Sequence, residues 1–227
     1  MAQSVLIIAE SGSGKSTAIE NLDSSTTFII NVANKPLPFK GWKSMYTPWS
    51  KDTPKGNLYG KSGADDIIAC MKYISEKRPE IKTIVIDDFQ YMSGFEYMEK
   101  ALEKGYDKFT KMASNLSRVA TLPKDLRDDL VIFFLTHAEE STDLEGGRKM
   151  KAKTIGKMID NVLTLEGLYS IVLFGKVKKD KEQGVKYVFE TQNNGENTCK
   201  SPKGMFETLD IPNDLELVRK HILNYEQ

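Results

Sequence analysis

Gly12, Gly14, Lys15 and Ser16 follow an apolar run, Val5 to Ile8, in the stretch "VLIIAESGSGKSTAIENL". This is the spacing of a phosphate-binding loop, G-x-x-x-x-G-K-[ST], with Ala9 in the first position and Gly14, Lys15 and Ser16 in the last three. Glycines let backbone N–H groups turn inward around phosphate oxygens. The reading assigns Ser11, Gly12, Ser13, Gly14, Lys15, Ser16 and Thr17 to the nucleotide, with Lys15 as a point charge on the outer phosphates. The Ser16 hydroxyl is placed on Mg2+. A Gly/Ser turn with a chance lysine would look the same in isolation. Here a strand precedes the motif, and a helix to about Leu22 is predicted after it, its positive end facing the anion.

A second chemical cluster is "TIVIDDF", where an apolar strand ends in Asp87 and Asp88. It has the form of a Walker B segment. Asp87 is the candidate to hold Mg2+ through water, opposite Ser16. Asp88 is the candidate to polarise the attacking water, although an Asp here can also simply cap a turn. The strand "DDLVIFFLTH" ends at Thr136 and His137. His137 is a candidate sensor of the terminal phosphate, or a histidine that only satisfies the backbone.

Alternating strands and helices must position these groups. Strands are predicted at "SVLIIA", "TTFIINV", "IKTIVIDD", "DDLVIFFLTH", "YSIVLFGKV" and "VKYVFETQ". Helices are predicted over about 64–77 and 155–163, with helical material over about 93–122. An amphipathic helix in "PNDLELVRKHILNY" follows, capped by Asn213 or Asp214. The stretches 33–62 and 138–153 are read as loops. The pattern implies an α/β fold: a mostly parallel RecA-like P-loop sheet flanked by helices, with a hairpin and helix toward the end. Ligands then lie at the carboxyl ends of the strands.

The 227 residues fit a single domain, 1–227, and the 32 basic and 32 acidic side chains balance. Any nucleic-acid surface must therefore be local. Cys70 and Cys199 lack metal spacing and suit a reducing, cytoplasmic setting. No leader or membrane span is expected, since no apolar run nears the roughly 20 residues a span needs. Competing P-loop classes fit less well. A GTPase needs Asp-x-x-Gly after the acid strand, but Phe89, Gln90 and Tyr91 follow Asp88. A partition-type ATPase needs an early second lysine, where Glu10 and Ser11 stand, and a small-molecule kinase wants an arginine-rich lid, where Arg148 is alone among lysines.

"AESGSGKS", "TIVIDDFQYM", "VIFFLTH", "KTIGKMIDN" and "FETQNNGENTCKSPKGMF" occur in an order that resembles phage-encoded P-loop ATPases. These are RecA-like and AAA-type ATP-binding proteins of phage recombination modules, including single-strand annealing ATPases. The resemblance spans most of the chain. It implies ATP and Mg2+ as ligands, a role in DNA recombination, and location in the host cytoplasm. It also implies a homo-oligomer with nucleotide at subunit interfaces, where Lys200 and Lys203 would reach a neighbour's nucleotide. The first strand starts at residue 4, so the extension that links RecA-type filaments is not expected.

Residues 35–63 interleave lysines with Phe39, Trp42, Tyr46, Trp49 and Tyr59. Cations that track phosphates, alternating with stacking rings, hold single strands without sequence preference. Lys40, Trp42, Lys43 and Trp49 are thus candidate DNA contacts, as are Arg148, Lys149 and Lys151 in "GGRKMKAKTIGK". The tryptophans can equally pin a long loop to the core. The functional expectation is Mg2+-dependent ATP hydrolysis coupled to single-stranded DNA binding or annealing. The alternative is a nucleotide-switched module with weak turnover that binds a protein partner.

Overall fold

Strands buried on both faces need apolar residues at every position, and "VLIIA" and "TIVI" supply them. In the computed structural model, which describes residues 1–142, 147–154, 164–180 and 184–225, these runs form the centre of one sheet. The parallel strands are β1 (Gln3–Ala9), β2 (Thr27–Asn31), β3 (Leu58–Tyr59), β4 (Thr83–Asp87), β5 (Val131–Thr142) and β7 (Ile171–Asp180). β6 (Arg148–Ala152) pairs antiparallel with the far end of β5. β8 (Gly184–Glu190) and β9 (Asp210–Pro212) extend the sheet antiparallel beyond β7. The order is β3-β2-β4-β5-β1-β7-β8-β9.

Side-chain alternation along β1 divides the core. Leu6 and Ile8 pack with Ile67, Met71 and Ile74 of α2 (Ala64–Lys77) and with Leu116 and Val119 of α4 (Asp107–Thr121). Val5 and Ile7 pack on the other face with Ile19 and with Val218 and Ile222 of α5 (Leu215–Tyr225). One short helix, α1 (Trp42–Met45), lies on this second side, and α3 (Gln90–Glu99) follows β4 directly. Among the described residues, no helix is long and apolar enough to cross a membrane.

β5 lies between β1 and β4, and this order sets the site. Ala9 is level with His137 of β5 and Gly175 of β7, while Asn31 is level with Asp87. Every polar strand end named above therefore opens on the same edge of the sheet.

Several expectations are corrected. Residues 17–22 do not form an α-helix: Thr17–Ile19 is a 3-10 turn, continued by the bond from the Leu22 N–H to the Ile19 carbonyl, 3.0 Å. Burial of Ala18, Ile19 and Leu22 holds this turn. At Asp23, a local turn in which the carboxylate accepts the Ser25 N–H at 2.9 Å stops its extension. The helical stretch 93–122 is two helices, broken where Gly105 takes φ +98°. The described residues of 138–153 are mostly strand rather than polar loop. β5 and β6 form a hairpin there, tied by Glu140–Arg148 at 3.2 Å and Glu139–Lys151 at 3.3 Å. The helix expected over 155–163 lies outside the described residues. Asp214, rather than Asn213, caps α5, accepting the Glu216 and Leu217 N–H groups at 2.8 and 3.2 Å.

The stretch 33–62 is also more ordered than a loop. Leu37, Phe39 and Tyr46 are buried. Trp49 packs among Phe28, Tyr59 and Tyr73, with ring centroids 6.2, 5.2 and 5.2 Å away. The aromatic rings turn inward and Lys40, Lys43, Lys51, Lys55 and Lys61 outward, because burial of a large ring outweighs its exposure for stacking. Trp49 is partly buried and packed against the core, which leaves it poorly placed as a stacking platform for DNA. Trp49→Ala should destabilise the fold by about 3 kcal/mol, measured by urea denaturation. An unchanged midpoint would contradict this packing.

Candidate nucleotide site

The turn after β1 requires two left-handed residues, and glycine occupies both: Gly12 at φ +79° and Gly14 at φ +82°. At Gly14 there is also no room for a side chain. A Cβ there would lie 3.1 Å from Tyr187 Cδ1 and 3.2 Å from Asn213 Nδ2. The Asn213 amide donates to the Ser13 carbonyl at 3.0 Å, so the residue before α5 braces the loop. The Ser13 hydroxyl donates to the Glu10 carbonyl at 2.6 Å. The Ser13 N–H points to the same carbonyl at 3.4 Å, so both its side chain and its backbone hold the turn.

The two acids have different surroundings. Ser16 Oγ donates to Asp87 Oδ1 at 2.9 Å, across the strand that separates β1 from β4. Asp87 Oδ2 is buried without a hydrogen-bond partner. Burial pushes the Asp87 carboxyl above its ordinary range, and the Asp88 charge adds to this, against Lys15, Ser16 and Lys35.

Asp88 is fully buried at φ +59°, a conformation that Asp adopts more readily than most residues. The reversal sends Phe89 into the core, its N–H bonded to the Leu135 carbonyl at 2.8 Å, and leaves the Asp88 side chain at the loop. Lys15 Nζ lies 2.8 Å from Asp88 Oδ1, Lys35 Nζ pairs with Oδ2, and His137 Nε2 stands 3.5 Å from Oδ1. Burial alone would raise this carboxyl, but His137, Lys15 and Lys35 hold it far below the usual carboxylate range. Gln90 fixes the end of β5: its Oε1 accepts the His137 N–H at 3.1 Å.

Above these groups opens a cavity of about 520 Å3, lined by the loop together with Lys35, Pro38, His137, Tyr187 and Asn213. The size suits a nucleotide. The chemistry also suits Mg2+, a hard cation that takes one or two carboxylates, keeps waters and leans on substrate phosphates. The Ser16 hydroxyl and the unpartnered Asp87 Oδ2 are such donors.

The structure thus brings Ser11, Gly12, Gly14, Lys15, Ser16, Thr17 and His137 to one cavity, with Asp87 and Asp88 beneath. It does not bring Lys200 or Lys203 there. Pro202 and Met205 line a separate cavity with Gln3 and Ser170, at the opposite end of β1 and β7. Lys40 and Lys43 are exposed, and Lys43 sits over the half-buried Trp42 ring, 5.7 Å from its centroid. Arg148 and Lys149 are exposed on the β5–β6 hairpin. Glu10, Lys35, Pro38, Gln90, Tyr187 and Asn213 also belong to this site, and none was expected there from the sequence. None of these carries a motif, and Lys35 is in sequence one lysine among several in a basic segment.

A family model described as an AAA domain matches residues 1–202. Among curated proteins, none matches the chain. The match covers β4 with its two acids, β5 with His137 and the whole phosphate loop, and the mostly parallel sheet with flanking helices has the RecA-like α/β form. The chain belongs to the AAA domain family of nucleotide-binding P-loop proteins.

Proposed function

We propose that the chain is a Mg2+-dependent ATPase. The observation that carries this reading is the pair of contacts Ser16–Asp87 and Lys15–Asp88, which join the phosphate loop to two acids in unlike environments. Lys15 would exchange its carboxylate partner for the outer phosphates, while loop N–H groups hold the inner ones. Ser16 and Asp87 would hold Mg2+, which neutralises phosphate charge as the leaving group departs. Asp88 lies beside both lysines beneath the loop. Its role in this reading is to accept a hydrogen bond from the attacking water and orient it, the larger need where the transition state is loose. His137, beside it at the cavity edge, would sense the terminal phosphate.

We further propose that turnover is coupled to single-stranded DNA, in phage recombination or repair. Support comes from Tyr91 and Phe95, stacked 5.4 Å apart and each more than a third exposed, just beyond Asp88 on α3. The Tyr91 ring meets His137 at 5.9 Å, so the nucleotide site and this face share a residue. Base–ring stacking needs such exposed faces. Arg148 and Lys149 lie further out on the same ribbon, level with Thr142 and Ser141, beyond His137 on β5. A protein partner on this face is the alternative. Assembly into a homo-oligomer, with Lys200 or Lys203 acting on a neighbour's nucleotide, and a cytoplasmic setting belong to the same proposal. The buried free thiols Cys70 and Cys199 agree with a reducing compartment.

Lys15→Ala should weaken ATP binding by about 1.5–3 kcal/mol or more, measured by titration, in a protein that still folds but with a lowered urea midpoint, because buried Asp88 loses a partner. Unchanged affinity would refute the phosphate-loop assignment. Asp87→Asn should weaken ATP binding in Mg2+ far more than in its absence, and equal losses would move the ion elsewhere. Single-stranded DNA should raise the wild-type ATPase rate, by an amount that falls as salt rises. Stimulation only by a protein would favour the alternative.

A further inference from the structure

Lys35 belongs to no motif, yet its position is closely specified. Asn31, buried at the end of β2, donates its side-chain amide to the Lys35 carbonyl at 2.6 Å and accepts the Lys35 N–H at 3.3 Å. Asn34 between them takes φ +50°, which Asn tolerates. Asn31 is level with Asp87 on the neighbouring strand. The Lys35 backbone is thereby clamped at the strand ends that carry the two acids.

Its side chain reaches the same cavity as Lys15 and pairs with the other oxygen of the same carboxylate. Two lysines thus converge on one buried aspartate at the cavity floor. Lys35 is about half exposed, at 46 %, whereas Lys15 is buried at 6 %. Lys35 therefore sits at the cavity rim, on a stem long enough to exchange one partner for another.

Resting on the ATPase reading, we propose that Lys35 is a second catalytic cation, delivered in cis from the β2 loop. It leaves Asp88 to neutralise charge on the terminal phosphoryl oxygens. In the reaction a water oxygen bonds to the terminal phosphorus, and the bond from that phosphorus to the bridging oxygen breaks. The electron pair stays on ADP. One water proton remains on the phosphate released and the other passes to solvent. Charge that spreads over the transferring group in this step is what a lysine held next to Asp88 is placed to stabilise. Asp88, no longer paired with the two lysines, then accepts the water's hydrogen bond.

The test compares Lys35→Met, which keeps length and removes charge, with Lys35→Arg, which keeps charge. Rates are measured at saturating ATP, and ATP and ADP affinities by titration in Mg2+. Lys35→Met should lower kcat by about 100-fold or more, the scale of one preorganised transition-state contact. It should also erase most of any preference for ATP over ADP while leaving ADP affinity within about twofold. Lys35→Arg should recover part of the rate. An unchanged kcat, or equal losses of ATP and ADP affinity in a variant whose urea midpoint also falls, would overturn the proposal. If the wild type binds ATP but does not hydrolyse it, the ATPase reading fails on its own, and the ATP-to-ADP affinity ratio of Lys35→Met still decides whether Lys35 meets the terminal phosphate.

Discussion

A buried carboxylate that grips two lysines organises this site. Asp88 has no exposed surface, and an ionised group there is tolerable only with close partners. Lys15, Lys35 and His137 are those partners, drawn from the phosphate loop, the end of β2 and the end of β5. Removing any one leaves charge less well compensated. The three segments are thus tied to one point before any ligand arrives. A triphosphate would replace that carboxylate as the anion the cations face.

The sheet order makes the convergence workable. With β5 between β1 and β4, the acids stand one strand further from the loop than a direct neighbour would, and Ser16 spans the gap to Asp87. The inserted strand brings its own polar end, His137, level with Ala9. It also continues past the sheet as the hairpin with β6, giving the nucleotide edge a projection. On the other side of β1, the antiparallel extension supplies Tyr187 and the segment before α5 supplies Asn213, closing the loop over Gly14. The loop is therefore braced from chain regions nearly two hundred residues away in sequence.

What could be read in advance was local. The phosphate loop and the Asp87–Asp88 pair are contiguous patterns on apolar strands, and their spacing alone implies their chemistry. The parallel α/β architecture followed from runs such as "IKTIVIDD" alternating with amphipathic stretches. Lys35 was visible only as one lysine among several in a basic segment, and nothing local distinguishes it from Lys40 or Lys43. Only the Asn31 clamp and the register of β2 with β4 single it out. Trp49 misled for the opposite reason: lysines interleaved with rings look like a single-strand groove until the three-dimensional core claims the rings. The β5–β6 hairpin was invisible because "HAEEST" and "RKMKA" carry charge on both faces, the mark of a ribbon projecting into water. The turn after the phosphate loop was mistaken for a helix because buried Ala18, Ile19 and Leu22 imitate helical spacing.

The central claim is that Asp88 holds the phosphate-binding cations in reserve and then serves the chemical step. Asp88→Asn separates these duties, and ATP affinity measured beside single-turnover hydrolysis reads both. The account predicts ATP binding at least as tight as wild type, because Lys15 and Lys35 no longer have a competing carboxylate, with hydrolysis slowed by about 100-fold or more. ATP affinity reduced as far as by loss of Lys15, or hydrolysis at the wild-type rate, would contradict it.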